Sequence, residues 1–143
     1  MRVSEVMTRG VECIGPDATL QEAAAKMKSL DVGSLPVCDN DRLVGMVTDR
    51  DITVRATAEG ESPTDVRVRN VMTPEVIYCF EDALVAEVAS LMQEKQVRRI
   101  VVLNHDKRLV GIVSLGDLAV ETGDEQMAGK ALEGISEPHH QVR

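Results

Sequence analysis

The chain repeats itself, and the repeat limits its fold more than any other feature. Val6-Met7-Thr8 returns as Val71-Met72-Thr73. The same step carries Val11 onto Val76, Asp17-Ala18 onto Asp82-Ala83, Glu22 onto Glu87, Ala24 onto Ala89, Met27 onto Met92 and Val32 onto Val97. From Arg42 the step is one residue longer, so that Arg42-Leu43-Val44-Gly45 matches Arg108-Leu109-Val110-Gly111. The extra residue falls near Lys107, where a surface turn would tolerate it. Such a period marks one supersecondary unit used twice, so the fold has to be solved for one copy of roughly sixty residues and then doubled.

Within a copy, the pattern reads strand, helix, strand, strand, helix. Val3 to Met7 is a short amphipathic lead-in, broken at Thr8-Arg9-Gly10, and Val11-Glu12-Cys13-Ile14 is a strand stopped by Gly15-Pro16. Thr19 with Glu22 forms a capping-box signature. Leu20, Ala23, Ala24, Met27 and Leu30 then fall on one helical face. Leu35 to Cys38 and Leu43 to Val47 are two further strands around the turn Asp39-Asn40-Asp41, and a helix runs from Asp49 to about Ala58. The first two strands need a crossover and should be parallel; the second and third form a hairpin. The second copy gives a strand at Val76 to Cys79, a helix at Leu84 to Lys95, hairpin strands at Arg99–Leu103 and Leu109–Val113, and a helix from Leu115 to about Glu121. One such sheet has little with which to bury its faces, so two copies sharing a core explain the duplication. The fold class is therefore α+β or α/β, with mixed three-stranded sheets flanked by helices. The expected boundaries are 1–59 for the first domain, 60–70 for a polar linker, 71–121 for the second domain and 122–143 for a tail. That tail contains a short helix at Glu125 to Leu132, ended by Ser136-Glu137-Pro138, and mobile final residues.

The candidate chemistry sits where each hairpin meets its last helix. Gly45-Met46-Val47-Thr48-Asp49-Arg50-Asp51 is matched by Gly111-Ile112-Val113-Ser114-Leu115-Gly116-Asp117. Thr48-x-x-Asp51 and Ser114-x-x-Asp117 fit the capping box, in which hydroxyl and carboxylate satisfy orphan backbone N–H groups. The same geometry suits a nucleotide. A helix N-terminus attracts phosphate, a carboxylate one turn in can accept ribose hydroxyls, and Arg50 can supply a countercharge. A cap needs no particular strand before it, yet both copies place a glycine and two apolar residues ahead of the hydroxyl.

Composition excludes other classes. The net charge of -8 and the lack of a basic stripe argue against nucleic acid and against an anionic membrane surface. One Tyr, one Phe and no Trp leave few faces on which to stack single-stranded bases. No apolar run reaches the roughly 18–20 residues of a membrane span, and the N-terminus lacks a signal-peptide core, so a cytoplasmic location is expected. No nucleophile elbow, P-loop or HExxH motif is present, and a non-enzymatic role is expected.

Taken in order, Val6-Met7-Thr8 and Val71-Met72-Thr73, Gly33-Ser34-Leu35-Pro36-Val37, and the two hairpin-to-helix stretches resemble a tandem pair of CBS domains, the Bateman module. The resemblance covers roughly residues 3–121 and is nearest to small stand-alone prokaryotic CBS-pair proteins. It implies two βαββα CBS units with pseudo-twofold symmetry and two clefts that often hold AMP, ADP, ATP or another adenosyl compound. Thr48 and Ser114 fall on the family's hydroxyl position near phosphate, and Asp51 and Asp117 on its ribose position. Val11 to Ile14, including Cys13, with Val76 to Cys79 and the strand after Gly33, fall where the family encloses the base. The copies differ in that Gly33 corresponds to Arg98 and Pro36 to Val101. Arg98 and Arg99 could contact phosphate or fill the second cleft, and Tyr78 could stack on an adenine or block it.

A ligand-sensing regulatory module follows as the leading expectation. It would bind an adenine nucleotide, require no cofactor, form a homodimer on its helical faces and signal to an unidentified protein partner. The alternative is a nucleotide-free interaction or stress-response protein whose state depends on Cys13 and Cys38. These lie at corresponding points of adjacent strands and could form a redox-sensitive disulfide or a weak metal site, or could simply be buried. Cys79 matches Ile14 and is expected in the core. His105, His139 and His140 are expected to be solvated, and the methionines to fill the core.

Overall fold

Thr19 opens the first helix as its spacing with Glu22 requires. The Thr19 hydroxyl accepts the Glu22 N–H at 3.1 Å, and the Glu22 carboxylate accepts the Thr19 N–H at 3.2 Å. The structure, a computed structural model describing residues 1–138, contains helices α1 (Leu20–Leu30), α2 (Asp49–Arg55), α3 (Val85–Lys95), α4 (Leu115–Thr122) and α5 (Glu125–Ile135). Its strands are β1 (Ser34–Asp39), β2 (Arg42–Thr48), β3 (Tyr78–Phe80), β4 (Arg99–Leu103) and β5 (Leu109–Ser114). The chain divides into two units, Glu12–Val76 and a second that joins Met1–Val11 to the chain from Ile77 onward.

This division exchanges the two lead-ins. Val3–Glu5 is a 3-10 turn whose Val3 N–H donates to the Ala83 carbonyl at 2.8 Å. Val68–Asn70 is its repeat-mate, with the Val68 N–H donating to the Ala18 carbonyl at 2.9 Å. Each lead-in therefore completes the body of the other repeat. Val68, in the stretch 60–70 read as a polar linker, is fully buried. With Val71 it joins Leu20, Ala23, Met27, Leu35, Val37 and Val47 in the core of the Glu12–Val76 unit. In the other unit, Val3, Val6 and Met7 join Val88, Met92, Ile100, Val102, Val113 and Leu118. The lead-ins supply the apolar area that a lone three-stranded sheet lacks.

β4 pairs antiparallel with β5 and parallel with β3, which gives the mixed sheet that the crossover argument requires. In the Glu12–Val76 unit β1 and β2 form the hairpin, with a bulge between Val37 and Cys38. The strand expected at Val11 to Ile14 contracts to a single parallel bridge, Ile14 to Val37. Gly10 turns the chain at φ 67° just before it, and Pro16, which has no N–H to give, follows closely. Two other expectations shift. α2 stops at Arg55 and gives way to a 3-10 turn at Thr57–Glu59, short of a continuous helix to Ala58. The second-copy strand lies at Tyr78–Phe80 where Val76 to Cys79 was expected, with Cys79 paired to Val102 as its repeat-mate Ile14 is to Val37. The inserted Lys107 is exposed in the β4–β5 turn with φ 61°, the tolerant position that the offset implied.

Beyond the repeats, α5 packs on α3 and α4 through Ala128, Ala131 and Gly134, one turn longer than expected and capped at Ser136. A Cβ on Gly134 would stand 2.1 Å from Gln93 Cγ, so only glycine allows this approach. The Gln96 amide donates to the carbonyls of Gly134 (3.1 Å) and Glu137 (2.8 Å) and ties the end of α5 to α3. His139, His140 and the expectation of mobile final residues lie outside the described residues.

Candidate functional site

Each hairpin ends in the same hydrogen-bonded corner. In the first, the Thr48 hydroxyl accepts the Asp51 N–H at 3.0 Å, and Asp51 Oδ2 accepts the Thr48 N–H at 3.0 Å. In the second, the Ser114 hydroxyl accepts the Asp117 N–H at 3.0 Å, and Asp117 Oδ2 accepts the Ser114 N–H at 2.9 Å. Both are complete capping boxes. The bland account of the motif is therefore built, and it leaves one carboxylate oxygen in each copy outside the cap. The corner's backbone is also fixed: the Asp49 N–H donates to the Gly33 carbonyl, and the Leu115 N–H to the Arg98 carbonyl, each at 2.9 Å.

At the first corner a Cβ on Gly33 would meet Asp49 Oδ2 at 3.1 Å, a tight contact that a small shift of the exposed Asp49 carboxylate relieves. The repeat-mate of Gly33, Arg98, is exposed and carries a full side chain, so the two corners differ most at this point. Arg50 is exposed, and its N–H donates to Asp49 Oδ1 at 2.8 Å. Pro36 is buried in β1 opposite Met46, and its carbonyl accepts the Ile14 N–H at 3.0 Å. Proline fits there because its bonding to that neighbour needs only a carbonyl. Gly33, Pro36, Thr48, Arg50, Asp51, Cys13 and Val76 belong to the Glu12–Val76 unit. Val11, Tyr78, Arg98, Arg99, Ser114 and Asp117 belong to the other. Arg99 pairs with Ser114 across β4 and β5. Tyr78 pairs with Val101 at the edge of the sheet, is 38% exposed, and meets Phe80 edge to face at 5.7 Å.

Behind each corner a glycine is covered by the lead-in of its unit. A Cβ on Gly45 would lie 2.9 Å from Met72 Sδ and 2.9 Å from the Thr73 carbonyl oxygen. On Gly111 it would lie 2.6 Å from Met7 Sδ and 2.9 Å from the Thr8 carbonyl oxygen. Thr73 exchanges both backbone hydrogen bonds with Met46, and Thr8 with Ile112. The repeated Met-Thr pairs and the repeated glycines were visible in the sequence; only the tertiary pairing joins them.

Arg55 was not singled out from the sequence. Its Nε lies 3.9 Å from Asp51 Oδ1, and its Nη1 donates to the Val71 carbonyl at 2.9 Å. The i, i+4 spacing from Asp51 was a legible signal.

Cys13 and Cys38 come together, and all three cysteines are free. Burial pushes the Cys38 thiol up to about 12, with the hydrogen bond to Cys13 and the nearby Cys13 and Asp41 charges acting the same way. Burial likewise raises Cys79, a core residue as expected, to about 11. Both thiols are held in the protonated form. Among the described residues, no group of three or more His, Cys, Asp and Glu side chains could hold a metal ion. His105 is exposed in the β4–β5 turn as expected; it also stacks on Phe80 at 4.7 Å, and its Nε2 lies 3.0 Å from Asp82 Oδ2. The hydrogen bond from His105 holds the Asp82 carboxyl below its usual range. Among the described residues, no helix is long and apolar enough to cross a membrane.

The family model described as "CBS domain" matches residues 3–56 and 68–122. The CBS domain-containing protein YhcV of Bacillus subtilis is 40% identical over 134 residues, 94% of each chain. The crystal structure of Hypoxic Response Protein I with two coordinated zinc ions is 39% identical, with a TM-score of 0.75 over 83% of this chain and 97% of that one. The CBS domain pair of protein MJ0100, solved with 5-methylthioadenosine and S-adenosyl-L-methionine, is 27% identical. Its TM-score is 0.74 over 86% of this chain and 96% of that one.

Proposed function

This chain belongs to the CBS-domain family, and from that premise we propose that it is a regulatory module that senses an adenine-containing nucleotide. The ligand is AMP, ADP, ATP or an adenosyl compound. The observation that carries the reading is the duplicated corner, where one oxygen each of Asp51 and Asp117 lies outside the capping box. Those oxygens accept ribose hydroxyls, while Thr48 and Ser114 keep the strand ends in place and face phosphate. Arg50, Arg98 and Arg99 supply countercharge. Gly33, Pro36, Cys13 and Val76 enclose the base in the Glu12–Val76 unit, and Val11 and Tyr78 do so in the other. The adenosyl ligands of the MJ0100 pair support this class of ligand. Binding shifts the population of conformations that a second copy or a protein partner reads, and no chemical step is involved.

Isothermal calorimetry of the full chain with AMP, ADP, ATP and S-adenosylmethionine tests it. Binding is expected with at least one of them, and the heat should be lost on Asp51→Ala, Asp117→Ala or both. No heat with any ligand overturns the reading, and binding unchanged in the double variant moves the site elsewhere. The module is also proposed to act as a homodimer; a monomeric mass by light scattering at micromolar concentration would refute that.

The contact between Cys13 and Cys38 favours a second reading, in which the state of these thiols and not a nucleotide sets the protein's interactions. The zinc ions of the Hypoxic Response Protein I structure give the metal version of that reading a precedent. Zinc titration and a free-thiol count after diamide, each compared with Cys13→Ser, separate the two.

A further inference from the structure

Arg55 connects the Asp51 corner to the segment by which the chain leaves its unit. Its Nε lies 3.9 Å from Asp51 Oδ1, the oxygen outside the cap. Its Nη1 donates to the carbonyls of Val71 at 2.9 Å and Met72 at 3.4 Å. The next residue, Thr73, is clamped to β2: its N–H donates to the Met46 carbonyl at 2.8 Å, and its carbonyl accepts the Met46 N–H at 2.9 Å. The unit ends shortly afterwards, at Val76. Carboxylate, guanidinium, two carbonyls and a strand thus form one line of contacts from the corner to the exit.

The other copy has the same parts without the connector. Thr8 and Ile112 exchange the same backbone bonds, at 2.8 and 3.0 Å, and Gly111 lies under Met7 and Thr8 as Gly45 lies under Met72 and Thr73. At the position of Arg55, however, stands Glu121, and a carboxylate has no proton to give the carbonyls of Val6 and Met7. The repeat is symmetric in its backbone and asymmetric in this one side chain.

The Arg55 side chain is half exposed, so its ion pair with Asp51 adds little on its own. The carbonyls are what fix the guanidinium. A ligand hydroxyl arriving at Asp51 Oδ1 competes for the charge that Arg55 faces, and any change in Arg55 is felt at Val71 and Met72.

We propose that Arg55 is a positioning residue that transmits occupancy of the Asp51 corner to the segment Val71–Thr73, in the first repeat and not in the second. This rests on Asp51 being the ribose acceptor proposed above.

Hydrogen exchange of the full chain, read by mass spectrometry at the amides of Met72 and Thr73, tests it with and without AMP. Without ligand, Arg55→Met should speed exchange about three- to ten-fold, the worth of roughly one ordinary hydrogen bond, since solvent screens the half-exposed guanidinium. Arg55→Lys, which keeps the charge and loses the fork, should fall between. Asp51→Asn should add less in the Arg55→Met background than in the wild type, while the amides of Thr8 and Ile112 stay unchanged. Saturating AMP should alter exchange at Thr73 in the wild type and leave it unaltered in Arg55→Met that calorimetry shows to be loaded. Wild-type exchange in Arg55→Met, additive effects of the two substitutions, or an equal AMP response in both proteins would overturn the proposal. No heat in the wild type with any of AMP, ADP, ATP and S-adenosylmethionine overturns the ligand reading and the transmitted signal together. The ligand-free comparison distinguishes that outcome, because it stands or falls on Arg55 and Asp51 alone.

Discussion

Replacing Gly45 by alanine measures the contact on which the first corner is built. The new Cβ would stand 2.9 Å from Met72 Sδ and 2.9 Å from the Thr73 carbonyl oxygen. The sulfur is the end of a flexible side chain and can move. The carbonyl is backbone, held by the Met46 N–H at 2.9 Å, and moving it strains the bridge between the lead-in and β2. Overpacking of this kind costs about 1–3 kcal/mol. Against it stands the roughly 0.4–1 kcal/mol that Gly→Ala returns by restricting the unfolded chain. The net expectation is a loss of about 1–2 kcal/mol, or a fall in urea midpoint of roughly 0.5–1 M. Gly116→Ala is the control: its Cβ meets Ser114 Oγ at 3.6 Å, an ordinary contact in the first turn of α4. It should be neutral or stabilising by up to about 1 kcal/mol. Chemical denaturation of the three proteins, followed by circular dichroism, decides between them. If Gly45→Ala unfolds at the wild-type midpoint or later with an unchanged slope, the lead-in does not lie against Gly45 and the reasoning fails.

Other perturbations have equally definite outcomes. Thr48→Val removes an acceptor from the Asp51 N–H and should lower stability by about 1 kcal/mol in the same assay, with Thr48→Ser near wild type. Cys38 and Cys79 are raised from 9.0 to about 12 and about 11, so their contribution to stability is present in full below pH 9 and is lost as pH rises towards those values. Native protein treated with iodoacetamide at pH 8 should keep both unmodified, and rapid alkylation of Cys38 would contradict its placement. Gln96→Ala removes the donor to Gly134 and Glu137; amide exchange over the last turn of α5 should rise several-fold while that of α3 is unchanged.

The corner was legible as far as its parts are local. Thr48 with Asp51 and Ser114 with Asp117 are three residues apart, and their capping boxes follow from helix geometry. The helix face of α1, the hairpins and the inserted turn at Lys107 follow from period and turn chemistry in the same way. At Val11 to Ile14 the apolar residues and their flanking breakers Gly10 and Pro16 are both legible, but which of them wins is not, and the strand contracts to one bridge. His105 is solvated as its turn position implies, but its contacts with Phe80 and Asp82 were not legible because those residues are more than twenty positions away in the chain.

The sequence by itself determined that there are two copies, what each copy is made of, and where hydroxyl and carboxylate fall within it. Hydrophobic period and capping act over a turn or two, and a repeat shows them twice. Only the tertiary structure decided which repeat each lead-in completes. Val3 and Val68 are equally apolar wherever they dock, and nothing local distinguishes the near body from the far one. It also decided the role of Arg55. An arginine four residues after an aspartate is commonplace on a helix, and it becomes a connector only because the exchanged lead-in brings the Val71 and Met72 carbonyls within its reach.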